Sequence, residues 1–257
     1  MAQVRVPRPA RDPLTPSRHP NDTYPVPPLL AMRVLCTTAA LAMGQAGASK
    51  VQVLVITEAG CPPCQAAITG SLNDMVTAVG VSDIVHLIHH PFGNNYYTTT
   101  ECGGAPYDPT IRHCWAARCA VDSPAADCFT GEIVPQHGEV EKNVNRMQAC
   151  AKNLTTTWEA YWPFLVCMES NYEAQGLDAT AACASKASLS NDKLQACYAG
   201  TDGDAAQQTE AQATVDHPGT PYVTVNGEEV TDLSTVLEKV CDSYAGKKPT
   251  GCPSTLI

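Results

Sequence analysis

The sequence predicts an α/β core interrupted by a disulfide-rich, mainly helical insertion. Three observations predict it. A β-branched run, Val51–Thr57, leads through Cys61-Pro62-Pro63-Cys64 into residues with helical spacing. A proline-led strand–turn–strand unit, Pro221 to Val230, precedes a second amphipathic segment. Between them, residues 92–213 hold eight cysteines, from Cys102 to Cys197.

The N-terminal region differs from the rest. Residues 1–31 contain eight of the 20 prolines and four arginines against two aspartates, a composition that reads as disordered. Met32-Arg33, the apolar run Val34–Met43 and Ala46-x-Ala48 have the three parts of a secretory signal over residues 32–48, with the cut expected after Ala48. Translation then begins at Met32, or the extension is a long n-region. Without residues 1–48 the chain has 11 basic and 24 acidic residues, net −13, and an even 12 cysteines. An acidic chain argues against a nucleic-acid partner. An even cysteine count in an exported chain reads as disulfides. No apolar run is long enough to predict a membrane span.

In the first core segment, residues 49–91, Val51–Thr57 has the pattern of a strand buried on both faces. Glu58-Ala59-Gly60 turns the chain. Ile68, Leu72, Met75 and Val76 then recur at helical spacing, so the C-x-x-C stands where a strand ends and a helix begins. There, unpaired N–H groups and the helix dipole favour a thiolate at Cys61, and Cys64 is one turn away. Prolines are tolerated in the first turn, and they leave the Cys64 N–H as the main donor to the Cys61 sulfur. A structural disulfide is the bland alternative, though so tight a ring is a poor staple. Half of a zinc site is another, with Cys114 and Cys119 as the remaining close pair.

Ile84–Ile88 reads as a second buried strand, ending in His89-His90-Pro91. Those histidines could face a site at the strand end, although hydrogen-bonded structural roles are commoner. In the second core segment, residues 214–246, Tyr222–Val225 and Glu228–Val230 flank Asn226-Gly227, a strong hairpin turn. Asp232-Leu233 opens a helix with Val236, Leu237 and Val240 on one face. This order of elements is that of a thioredoxin-like domain. In such a domain a cis-proline lies opposite the C-x-x-C, and Pro221 is assigned to it, with Thr220-Pro221 beside the substrate chain.

Within the insertion, the stretch to about residue 134 is Gly/Pro-rich and reads as loop. Helical spacing follows at Val140, Val144 and Met147, and again at Trp158, Tyr161, Trp162, Leu165 and Val166. Two shorter helices surround Cys183 and Cys197, with Ser190-Asn191-Asp192 as turn and cap. Residues 247–257 form a tail. Cys241 and Cys252, 11 residues apart with Gly246 and Pro249 between, are placed to bridge locally.

Gln136-His137-Gly138, Glu141, Asn145 and Cys150 keep every spacing of the signature C-Q-H-G-x-x-E-C-x-x-N-x-x-x-x-C. With Cys61/Cys64, Phe164–Glu169, Pro221–Gly227 and Gly246–Pro253, the chain resembles the gamma-interferon-inducible lysosomal thiol reductase family over roughly residues 50–254. It departs at Pro135 and Lys142, which replace two signature cysteines, as the loss of one bridged pair would. The resemblance implies a lysosomal or secreted reductase of protein disulfides, made as a glycosylated precursor. Asn153-Leu154-Thr155 is a fitting sequon; Asn21-Asp22-Thr23 precedes the signal.

The expected function is therefore thiol-disulfide oxidoreduction through Cys61 and Cys64, acting on disulfide-containing proteins and reset by a small-molecule thiol. No metal or organic cofactor is expected. The alternative is an exported, non-catalytic disulfide-rich or zinc-binding module.

Overall fold

The computed structural model describes residues 48–253. The proline-rich extension, the Asn21 sequon and the signal segment up to residue 47 lie outside the described residues. Strand β1, Val51–Thr57, is central in a four-stranded sheet of order β2-β1-β5-β6. It runs parallel to β2, Val85–Pro91, and antiparallel to β5, Tyr222–Val225. Strand β6, Glu228–Glu229, returns from β5. Asn226 and Gly227 take φ of 49° and 86°, the left-handed pair that a two-residue hairpin requires. This strand order and handedness of pairing give the thioredoxin-like fold.

Helix α1, Pro62–Thr69, follows β1 and stops at Gly70; α2, Ser71–Thr77, continues after it. The apolar spacing predicts one helix across this region. Gly70, at φ −110° and ψ −111°, divides it, and a Cβ there would meet the Ala66 carbonyl oxygen at 2.8 Å. After the hairpin, Asp232 caps a 3₁₀ turn, Leu233–Thr235, through an Oδ1 bond to the Ser234 N–H at 3.1 Å. The turn runs into the last helix, Val236–Ser243, which packs on α2 and β1.

The insertion supplies a short antiparallel pair, β3 (Tyr96–Tyr97) with β4 (Ile133–Val134), and α3 (Pro109–Cys119). It also supplies α4 (Glu139–Asn153), α5 (Trp158–Gln175), α6 (Thr180–Lys186), α7 (Asn191–Ala199) and α8 (Thr201–Ala213). Helix α9 is the last helix, Val236–Ser243. Val144, Met147, Phe164 and Leu165 of α4 and α5 join Val53, Val55, Ile68 and Leu72 in one core. Val140, expected on the same face, is exposed.

The stretch to residue 134 corrects a loop expectation. Asp108 Oδ1 caps α3 by accepting the Thr110 N–H at 2.6 Å, and Pro109 starts the helix. Trp115 turns inward and, with Phe92, Tyr96 and Tyr97, forms a second core.

The ten cysteines outside the C-x-x-C form five bridges among the described residues: Cys102–Cys114, Cys119–Cys128, Cys150–Cys197, Cys167–Cys183 and Cys241–Cys252. The expected local bridge at the C-terminus is present. Cys114 and Cys119 belong to different bridges, so they do not form the second pair that a zinc knuckle needs. Among the described residues, no helix is long and apolar enough to cross a membrane.

Candidate active site

Cys61 is the N-cap of α1, and its sulfur accepts the Cys64 N–H at 3.3 Å. Pro62 and Pro63 occupy the first turn and bring no N–H of their own. Both cysteines carry free thiols; Cys64 is fully buried and Cys61 is 5% exposed. The Cys64 thiol and N–H both donate toward the Cys61 sulfur and lower its pKa to about 6, against the opposing effect of burial. Burial, then the neighbouring Cys61, pushes the Cys64 thiol strongly upward. The arrangement makes Cys61 the sulfur that ionises and Cys64 the one that keeps its proton.

The Thr220-Pro221 bond is cis, and the Cys61 sulfur faces the Thr220 carbonyl oxygen at 3.8 Å. A groove of about 520 Å³ beside this junction is lined by Pro63, Ala66, Pro221, Glu229, Val230 and Leu233. Pro63, Val230 and Leu233 give it apolar walls, and neither cysteine lines it. Asn153, by contrast, is exposed at the end of α4 and lines a separate cavity with His89 and His90.

His89 and His90 are not brought to the dithiol. His89 is 2.7 Å from Thr57 Oγ1 and 3.1 Å from the Tyr161 hydroxyl, and burial holds its pKa well below the ordinary value. His90 Nδ1 lies 2.7 Å from Glu210 Oε2. Both act as structural, hydrogen-bonded side chains.

A cluster behind Cys61 was not legible in the sequence. Glu58, read only as part of a turn, is fully buried. Its Oε2 accepts the Asn94 N–H at 2.7 Å, and its Oε1 accepts the Thr220 hydroxyl at 3.0 Å. His137 Nδ1 lies 2.6 Å from Glu141 Oε2 and 3.7 Å from Glu58 Oε1. Glu141 Oε1 also accepts the backbone N–H groups of Gln136 and His137, at 3.0 and 3.2 Å. Gln136 Oε1 accepts Asn94 Nδ2 at 2.7 Å. The Gln136-His137-Gly138 motif thus closes the back of the dithiol site.

Two glycines allow this approach. A Cβ at Gly60 would stand 2.6 Å from Glu141 Oε2 and 2.7 Å from His137 Cβ. At Gly93, with φ +57°, a Cβ would stand 2.5 Å from Glu58 Oε2. Donor atoms of Glu58, His137 and Glu141 lie within 4.8 Å of one another. The direct imidazole–carboxylate bond and the backbone N–H groups already occupy them, so the cluster is a hydrogen-bonded network. Burial, reinforced by Glu141, raises the Glu58 carboxyl well above the usual carboxylate range. An acid placed three residues before a C-x-x-C, at the end of a buried strand, was the available sequence signal.

A free dithiol at a helix N-terminus, facing a cis-proline on a thioredoxin-like sheet, defines the class: this is a thiol-disulfide oxidoreductase. The family model described as "Gamma interferon inducible lysosomal thiol reductase (GILT)" matches residues 125–187. A gamma-interferon-inducible lysosomal thiol reductase of Carassius auratus is 26% identical over 216 residues, covering 80% of this chain and 73% of that protein. The Mus musculus protein of the same name is 30% identical over 130 residues, 49% of this chain and 52% of its own length. A gamma-interferon-responsive lysosomal thiol protein of Arabidopsis thaliana is 24% identical over 225 residues, 83% and 78% of the two chains. The chain is thus similar to members of the gamma-interferon-inducible lysosomal thiol reductase family. Among solved structures, the oxidoreductase DsbA from Xylella fastidiosa gives a TM-score of 0.43 at 14% identity, covering 75% of this chain and 84% of its own.

Proposed function

We propose that this protein reduces disulfide bonds in protein substrates, with Cys61 as the attacking thiolate and Cys64 as the resolving thiol. One observation carries the reading. Of the 12 cysteines among the described residues, only Cys61 and Cys64 are free, and they sit in unlike environments at one helix end.

The Cys61 thiolate attacks a substrate disulfide; a Cys61–substrate bond forms, the substrate S–S bond breaks, and one substrate thiolate leaves. The Cys61 sulfur is then uncharged. That removes an electrostatic cause of the raised Cys64 pKa and eases loss of its proton. Cys64 attacks Cys61, the intramolecular disulfide forms, and the second substrate thiol departs. Two electrons pass to the substrate, and a small-molecule thiol restores the dithiol. Thr220 and Pro221 support the substrate chain where it meets Cys61.

A Cys61 pKa of about 6 leaves roughly a tenth of the sulfur ionised at a pH of about 5. That suits an acidic lysosome, the compartment that the relatives' names carry, while secretion draws on the same export route. Exposed Asn153 is the proposed glycan acceptor on that route.

Mixing each single variant with a disulfide-containing protein tests the assignment. Cys64→Ser should accumulate a covalent adduct on Cys61, and Cys61→Ser should form none. An adduct on Cys64 in Cys61→Ser would reverse the roles.

A further inference from the structure

The Thr220 hydroxyl has one proton and two acceptors within reach. Its Oγ1 stands 3.0 Å from Glu58 Oε1 and 3.7 Å from Cys61 Sγ, and it receives Asn94 Nδ2 at 3.2 Å. A hydroxyl offers one donor and two lone pairs, so one lone pair remains for a second incoming proton. Hydrogen-bonding atoms therefore lead from the buried sulfur through Thr220 to Glu58; His137, bonded to Glu141, lies 3.7 Å beyond, outside hydrogen-bond reach.

We propose that Glu58 is a positioning residue for the nucleophile, exchanging a proton with Cys61 through the Thr220 hydroxyl. This inference rests on the assignment of Cys61 as attacking sulfur and adds the route by which that sulfur ionises.

The step is a proton transfer without electron transfer. The step starts from an ionised Glu58. The Cys61 S–H bond then breaks toward Thr220 Oγ1 as the Thr220 O–H bond breaks toward the Glu58 carboxylate. The products are a Cys61 thiolate, an intact Thr220 hydroxyl now donating to sulfur, and a neutral Glu58 donating to Thr220. When the substrate thiolate is released, Glu58 returns a proton along the same line.

The surrounding charges favour that product. A neutral Glu58 leaves the Thr220 proton to the sulfur. An ionised Glu58 claims that proton and adds a second negative charge beside the thiolate. Burial and Glu141 hold Glu58 toward its neutral form. The other titratable groups facing the pair are Cys64 of α1, His137 and Glu141 at the start of α4, Glu169 and Tyr172 of α5, and Tyr107 ahead of α3. Tyr107 and Tyr172 are pushed up to about 12, and Glu169 to about 8, so all three are neutral in acid.

The test is the rate of iodoacetamide labelling of the reduced protein from about pH 3 to 9, with mass spectrometry to locate the label. Wild-type Cys61 should show one inflection near 6 and a second at higher pH, where Glu58 ionises beside it. Glu58→Gln should keep the first inflection and lose the second. Thr220→Val should move the second to higher pH, because Glu58 loses a hydrogen bond to its carboxylate, and move the first up by about one unit, slowing labelling at about pH 5 roughly tenfold. Thr220→Ser should restore both. A folded Glu58→Gln with the wild-type profile overturns the proposal. If that variant does not fold, an unchanged profile in Thr220→Val overturns it. Label appearing on Cys64 in place of Cys61 would instead defeat the dithiol assignment itself, so the two failures are distinct.

Discussion

Glu58 Oε1 and Thr220 Oγ1 meet at 3.0 Å, although 162 residues separate them in the chain. The sheet register brings this about. Ile56 of β1 pairs with Tyr222 of antiparallel β5. Two residues further in each direction lie Glu58 and Thr220, just beyond the paired ends of the strands. Cys61 follows three residues after Glu58, so the register of two strands also sets the sulfur against the cis-proline segment. The insertion completes the site from the other side, with Asn94 after β2 and His137 and Glu141 at the head of α4.

Gly60→Ala should therefore impair reactivity while conserving the dithiol. The added methyl group would lie 2.6 Å from Glu141 Oε2, 2.7 Å from His137 Cβ and 3.0 Å from the Tyr172 hydroxyl. Glu141 and His137 are held by backbone bonds and cannot yield freely, so overpacking should cost about 1–3 kcal/mol. Thermal unfolding should show the lower midpoint. Thiol labelling at acid pH should slow, because displacing His137 weakens its charge effect, which helps to lower the Cys61 pKa. An unchanged midpoint and labelling rate would show that the loop simply moves aside.

The bridges should differ in weight. Cys150–Cys197 spans 47 residues and ties α4 to α7, whereas Cys241–Cys252 spans 11 and holds only the tail against α9. In the chain-entropy account the longer loop contributes about 1 kcal/mol more. Removing Cys150–Cys197 also opens the fully buried Cys150 position in the core. Denaturant unfolding of the two double alanine variants should rank them in that order. Equal midpoints would mean that the tail bridge also supports the core.

What was legible in the sequence follows from how local each signal is. Val51–Thr57, the C-x-x-C at the strand–helix junction and the Asn226-Gly227 turn are short patterns with their own chemistry, and each lies where its pattern places it. Helix α3 was hidden by the Gly/Pro-rich composition around it, although Asp108-Pro109 is a regular helix start. Helix α8 has no apolar period to find. It buries Ala206, Gln207, Glu210 and Ala211, and Glu210 is satisfied by Lys152 and His90 from other elements. The cluster of Glu58, His137 and Glu141 depends on close approach across Gly60 and Gly93, a tertiary property without a local signature.

The contribution of Glu169 to stability should fall as pH rises from about 4 to 8, opposed below about pH 6.5 by His89 and His217, whose pKa values burial lowers. Glu169, buried on α5 and bonded through Oε1 to Gln148 Nε2 at 2.6 Å, is pushed up to about 8, chiefly by burial. Its folded pKa therefore lies above its unfolded value near 4.3. Below about pH 4 both states hold the proton, and the group is neutral toward stability. Above it the unfolded chain releases the proton while the folded one retains it, so unfolding is favoured until the folded pKa is passed. The limiting slope for one such group is about 1.4 kcal/mol per pH unit, and Glu58, shifted in the same direction, adds to it. Urea unfolding of the oxidised protein at several pH values would measure the trend. Glu169→Gln should flatten it, because the amide cannot ionise in either state. A Glu169→Gln curve parallel to wild type would show that Glu169 is not held protonated by the fold.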